Sequence, residues 1–152
     1  MQASPETIID QIRRGPVEEN GEIHAGDADL RLYIKLADWD RLGCLIERVE
    51  MKRTSTLNLD PDRIAQEVTY LGEALRVIER DEKSIRTVLR SHTPRKEESR
   101  ISFYEITLHP AAGLSLVRIA YDRESAKRIP VPSSFTRDTL ERLISDLLRL
   151  AS

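Results

Sequence analysis

The 152-residue chain contains a single cysteine, a single tryptophan, two phenylalanines and six glycines, and aromatic residues make up only 5% of it. With Cys44 alone, an intrachain disulfide framework is excluded, and a reducing compartment is expected. There is no run of about eighteen apolar residues, and the N-terminal stretch MQASPETIIDQIRRG has no uninterrupted apolar segment, so neither a spanning helix nor a signal peptide is expected. These absences predict a cytoplasmic protein without membrane contact. Charge of one sign is missing as well. Basic residues number 24 and acidic residues 26, interleaved along most of the chain, for a net charge of −2. No overall field draws such a chain to nucleic acid or to an anionic lipid surface. Glycine-rich phosphate loops, paired-cysteine zinc spacings, HExxH and GxSxG are all absent. No catalytic residue, cofactor or metal is assigned, and the chain is read as non-enzymatic.

What remains is a patterned chain, 39% hydrophobic and 33% charged. Its length suits one domain, residues 1–152, able to bury roughly 70% of its unfolded surface. Ser4, Pro5 and Glu6 form a helix start, and Arg13, Arg14 and Gly15-Pro16 form a stop, predicting a helix over 5–14 with Ile8, Ile9 and Ile12 on one face. Residues 16–27 read as a loop, with a short edge strand at Glu22 to Ala25. LRLYIKLA alternates strictly, so Leu30, Leu32, Ile34 and Leu36 face one side of a half-buried strand. Past the tip Asp38-Trp39-Asp40-Arg41, the segment GCLIERVEMKR completes a hairpin over 28–53. Asp60 and Pro61 open a second helix, which ends near 71 with Gly72 just beyond its last residue. Residues 75–91 read either as an extension of that helix or as an inserted hairpin, and the β-branched Ile85, Thr87 and Val88 favour the hairpin. HTPRKEES is a loop. RISFYEITLH, GLSLVRIAYD and KRIPVP are strands, and a last helix over 137–150 is capped by Thr136.

The segments GCLIERVEMKR (43–53) and GLSLVRIAYDR (113–123) share Gly43/Gly113, Arg48/Arg118 and Arg53/Arg123. Each follows a strand and precedes a short apolar run and a helix. We therefore expect an internal duplication, with pseudo-repeats at about 28–72 and 100–150, of a strand-strand-strand-helix unit. The predicted fold is α+β: an antiparallel or mixed sheet of about six or seven strands with three helices on one face. The order helix, three strands, helix, further strands, helix resembles that of type III secretion chaperones. That resemblance covers element order without a shared motif, and 75–91 departs from it.

Four residues stand out as contacts for a protein or a ligand. Trp39 sits at a hairpin tip between two charges, as an interface anchor would, although its indole can also fold back over the sheet end. Tyr33 lies on the polar face of its strand. Arg48 and Arg118, placed on the same face as Cys44/Ile46 and Leu114/Leu116, form either a pseudo-symmetric clamp for a carboxylate or phosphate or ordinary cross-strand ion pairs. His24 with Asp27 and Asp29 reads as a solvated turn rather than a metal site, and Cys44 as a small buried residue. Residues 76–100 carry eight basic against five acidic residues, a small excess. Tyr33, Phe103 or Tyr121 could stack bases on an open face, but single-stranded nucleic-acid binding needs a basic groove, which the balanced charge disfavours. The function expected is a protein-binding or self-associating module, chaperone- or adaptor-like, with a protein partner or a second copy as ligand. Single-strand binding, and a small-ligand protein or enzyme without a recognisable motif, are the alternatives.

Overall fold

The computed structural model describes residues 4–16 and 21–151. Along the chain run α1 (Pro5–Arg13), β1 (Glu22–Gly26), β2 (Leu30–Trp39), β3 (Gly43–Arg53), α2 (Pro61–Glu67), β4 (Leu75–Asp81), β5 (Arg86–Ser91), β6 (Arg95–Glu97), β7 (Arg100–His109), β8 (Gly113–Asp122), β9 (Lys127–Val131), β10 (Ser133–Thr136) and α3 (Arg137–Leu150). The fold is α+β, and every strand pairing is antiparallel. Among the described residues the sheet has ten strands rather than the six or seven expected, in the order β1-β2-β3-β8-β7-β5-β4, with β10 on β3, β6 on β7 and β9 on β8. Two of the additions, β6 and β10, are three- and four-residue strands whose polar sequences RKE and SSFT carry no alternating pattern.

The end signals act as anticipated. The Ser4 hydroxyl accepts from the Thr7 amide at the start of α1, and the Thr136 hydroxyl accepts from the Thr139 amide at the start of α3. Leu140, Leu143, Ile144, Leu147 and Leu148 of α3, with Ile8, Ile9 and Ile12 of α1, pack on Leu32, Ile34, Val49, Met51, Ile106 and Leu116 of the sheet. We call this helix-covered side the inner face. The second helix is shorter than expected. It stops at Glu67 because Val68 leaves helical geometry (φ −89°, ψ 83°) and turns wholly into the core, so Gly72 is not its capping residue. Residues 75–91 are a hairpin, β4 on β5.

β3 and β8 lie side by side but pair only over Val49–Met51 and Leu114–Leu116. Beyond that point they diverge. β10 lines the β3 arm from Gly43 to Ile46, β9 lines the β8 arm from Arg118 to Asp122, and the chain turns at Pro132 where the arms separate. The irregularity begins in β3 itself. Lys35 pairs with Arg48 while Leu36 pairs with Ile46, which leaves Glu47 as an extra residue. One extra residue reverses the alternation. Cys44 and Ile46 face inward, Val49 and Met51 also face inward, and Arg48 between them points to the outer face. Arg48 therefore does not share a face with Cys44 and Ile46, contrary to the strict period-two reading.

Candidate functional site

At the divergence of β3 and β8 the inner face extends past its helices. A groove of about 400 Å³ opens there, bordered by β6, floored by β7 and β8, closed on one side by Val131–Ser134 and backed by Leu71 and Glu73 of the loop after α2. Tyr104 divides it from the core. Its ring meets Phe135 edge-on, with centroids 6.2 Å apart, and carries the Arg118 guanidinium 4.6 Å from its own centroid. Burial pushes the Tyr104 phenol up from its ordinary pKa, with Arg118 acting against that shift.

Arg118 is the central charge of the groove. It occupies the inward register of β8 opposite Tyr104, continuing the row of Leu114 and Leu116. Its two terminal nitrogens donate to the two carboxylate oxygens of Glu73 at 3.3 and 2.8 Å, and one also donates to the Ser102 hydroxyl at 2.9 Å. The two side chains are only 11% and 15% exposed. This is the bidentate geometry in which a guanidinium fork matches a planar carboxylate. At the rim, Arg95 pairs with Glu97 at 2.8 Å, and Arg100 stands exposed beside them. Both carboxylates of the groove thus sit against arginines.

The other three residues singled out by sequence lie elsewhere. Arg48 is on the outer face, 3.1 Å from Glu50 and with its guanidinium 5.9 Å from the Tyr33 ring. It and Arg118 therefore flank the sheet from opposite sides and form no joint clamp. Tyr33 donates to Glu22 at 2.8 Å, and its ring leans against His24. That hydrogen bond raises the Tyr33 pKa and, with His24, lowers that of Glu22. Trp39 is folded back over the sheet end. Arg137 covers its ring at 4.2 Å, and Gly15 lies so close that a Cβ there would be 2.5 Å from the indole nitrogen. The exposed apolar side chain of that tip is Leu42.

Of the three aromatic residues that could stack bases, Tyr33 lies against Arg48 and His24 and Tyr121 is half-buried. Phe103 is buried beneath Arg90 and Arg128, whose guanidinium carbons lie 5.3 and 5.8 Å from its centroid, and both arginines pair with Glu105. Among the described residues no group of His, Cys, Asp and Glu is arranged to hold a metal ion. No helix among them is long and apolar enough to cross a membrane. Cys44 is buried, and desolvation pushes its thiol pKa up to about 11. The folded protein should therefore resist a thiol reagent at pH 8 and react stoichiometrically once unfolded in urea. Labelling of the native state as fast as of a free thiol would contradict this burial.

Sequence reasoning found Arg118 but not its setting. The signal was present: an arginine in the register of two buried leucines, opposite a tyrosine, has to find a counter-charge. Nothing in the sequence identified Glu73 as that partner. No protein-family model matches the chain, and neither a curated protein nor a solved structure matches it. The element-order likeness to type III secretion chaperones gains no support from these comparisons.

Proposed function

We propose that this chain is a cytoplasmic, non-catalytic protein-binding module that receives a segment of a partner protein in the Arg118 groove. One observation carries the reading: the inner face outruns its helices, leaving a groove bordered by strands that are each paired along one edge only. Among the described residues β6 pairs only with β7, β9 only with β8, and β10 only with β3. Free strand edges beside a partly apolar groove suit an extended segment, whose backbone can pair while its side chains enter the groove. Leu71, Val131 and Pro132 in the wall, with the exposed Ile129 of β9, provide apolar contact, and the arginines provide polarity.

The shared glycines also support reading β2–β3 and β7–β8 as copies of one duplicated unit. At both Gly43 and Gly113 a neighbouring strand's carbonyl lies where a side chain would begin.

Capture of partners from cell extract tests the binding surface. Val131→Arg, which fills the groove wall, should lose the proteins captured by the wild type, whereas Leu42→Arg at the hairpin tip should retain them. Loss with Leu42→Arg and retention with Val131→Arg would move the binding surface away from the groove.

A further inference from the structure

We propose that the groove selects a carboxylate side chain of its partner, and that Glu73 is an internal occupant which this carboxylate displaces from Arg118. The inference rests on the groove being the binding surface.

The two halves of the Arg118–Glu73 pair are held very differently. Arg118 belongs to the centre of a long strand, and two of its contacts, the Tyr104 ring and the Ser102 hydroxyl, come from the neighbouring strand β7. Its fork is therefore aimed into the groove by the sheet and does not depend on Glu73 for its position. Glu73 belongs to the irregular connection between α2 and β4. It follows Gly72, which has a φ of +86° and no atom within 4 Å of where a Cβ would stand. A few backbone torsions at this uncrowded point let the loop withdraw, as hinge segments do. The resident carboxylate is thus movable and its receptor fixed.

Charge gives the ligand class. The groove lining holds Arg95, Arg100 and Arg118 against Glu73 and Glu97. When Glu73 swings out to water, three guanidinium groups face one carboxylate. Glu73 itself demonstrates that a carboxylate fits the fork, with both oxygens engaged. A phosphate dianion would feel the same net positive charge, so the planar, bidentate fit already made by Glu73 is what favours a carboxylate. The exchange replaces one buried carboxylate with another, so the desolvation of Arg118 is unchanged. Tethering sets the penalty: an attached competitor acts at high effective concentration and lowers the apparent affinity of any free carboxylate.

The test uses the whole chain and the blocked peptide acetyl-Gly-Val-Glu-Val-Gly-amide, with counterparts carrying glutamine or phosphoserine at the centre. Binding is followed by titration of the backbone amide resonances. The glutamate peptide should shift residues 100–104 and 116–120 and should bind at least about tenfold more tightly than the glutamine peptide, because a charged acceptor on the fork is replaced by a neutral one. Glu73→Gln should tighten the glutamate peptide by about tenfold or more, since the internal competitor loses its charge. Arg118→Lys, which keeps the charge but not the fork, should weaken it by a similar factor. The amide spectrum of each variant verifies folding. Equal binding of the glutamate and glutamine peptides in the groove would overturn carboxylate selection while leaving the groove as a protein-binding surface. Stronger binding of the phosphoserine peptide would overturn the choice of carboxylate. Failure of Glu73→Gln to bind the glutamate peptide more tightly than wild type, or to bind it at all, would overturn displacement, and the Val131→Arg capture then judges the groove separately.

Discussion

Arg118→Ala should lower the free energy of unfolding by about 3–5 kcal/mol, read as a fall in the urea midpoint at unchanged slope. The size follows from burial. Both members of the pair are largely withdrawn from water, so removing the guanidinium leaves the Glu73 carboxylate without a counter-charge, and it must either stay desolvated beside Tyr104 or give up its loop's packing to reach water. It also removes the cation from the Tyr104 ring and a donor from Ser102. If the loss comes mainly from the stranded charge, then Glu73→Gln in the same chain should restore part of it, because a neutral amide is less costly to leave unpaired. The exposed pairs provide the contrast. Arg95–Glu97 is 69% and 62% exposed, and breaking it should cost less than about 1 kcal/mol. A loss of that small size at Arg118 would mean that water reaches the groove floor and that the pair is solvated.

Legibility in this sequence followed periodicity and caps. β2 is recoverable because four alternating apolar positions, Leu30, Leu32, Ile34 and Leu36, are long enough for period two to be unambiguous, and α1 and α3 because Ser4 and Thr136 mark their starts. β6 and β10 were not recoverable. β10 is held by β3, distant in sequence, and a four-residue strand made of Ser133, Ser134, Phe135 and Thr136 carries almost no pattern of its own, while β6, paired with Arg100–Ser102 of the adjoining β7, consists of three charged residues. The face of Arg48 was misassigned for a different reason. The break was visible as the spacing from Ile46 to Val49, three residues instead of two, but it becomes a bulge only when β2 and β10 fix what lies on either side. Ile85 reads as a β-branched strand residue, yet it sits in the β4–β5 turn at φ 57° and is 62% exposed. The candidate site shows the same division. Arg118 sits in a periodic strand and could be placed. Glu73 comes from a loop, and only the tertiary path of that loop brings it to the fork.

Gly113→Ala should be as damaging as the loss of Arg118, at about 3–5 kcal/mol, and for reasons of backbone alone. Gly113 has a φ of +93°, and a Cβ there would lie 2.1 Å from the Met51 carbonyl oxygen and 3.1 Å from the Lys52 Cα. Neither atom belongs to a flexible side chain, so the substitution must push β3 away from β8 where they pair. Met51 and Leu114 are partners in that short contact, and both side chains are among the most deeply buried in the core. Separation would therefore loosen packing as well as hydrogen bonds. Gly72→Ala isolates the conformational part of the cost. Its φ is also positive, but its surroundings are open, so it should lose only about 1 kcal/mol. Gly43→Ala isolates the contact part. Its backbone is not left-handed, yet a Cβ would come within 2.7 Å of the Phe135 carbonyl oxygen and displace β10. Urea melts of the three variants should rank Gly113 as most costly, Gly43 as intermediate and Gly72 as least. If Gly113→Ala costs no more than Gly72→Ala, the close approach of β3 to β8 is wrong. With it would go the account of why both strands begin with glycine, which is that each admits a neighbouring backbone no side chain could accommodate.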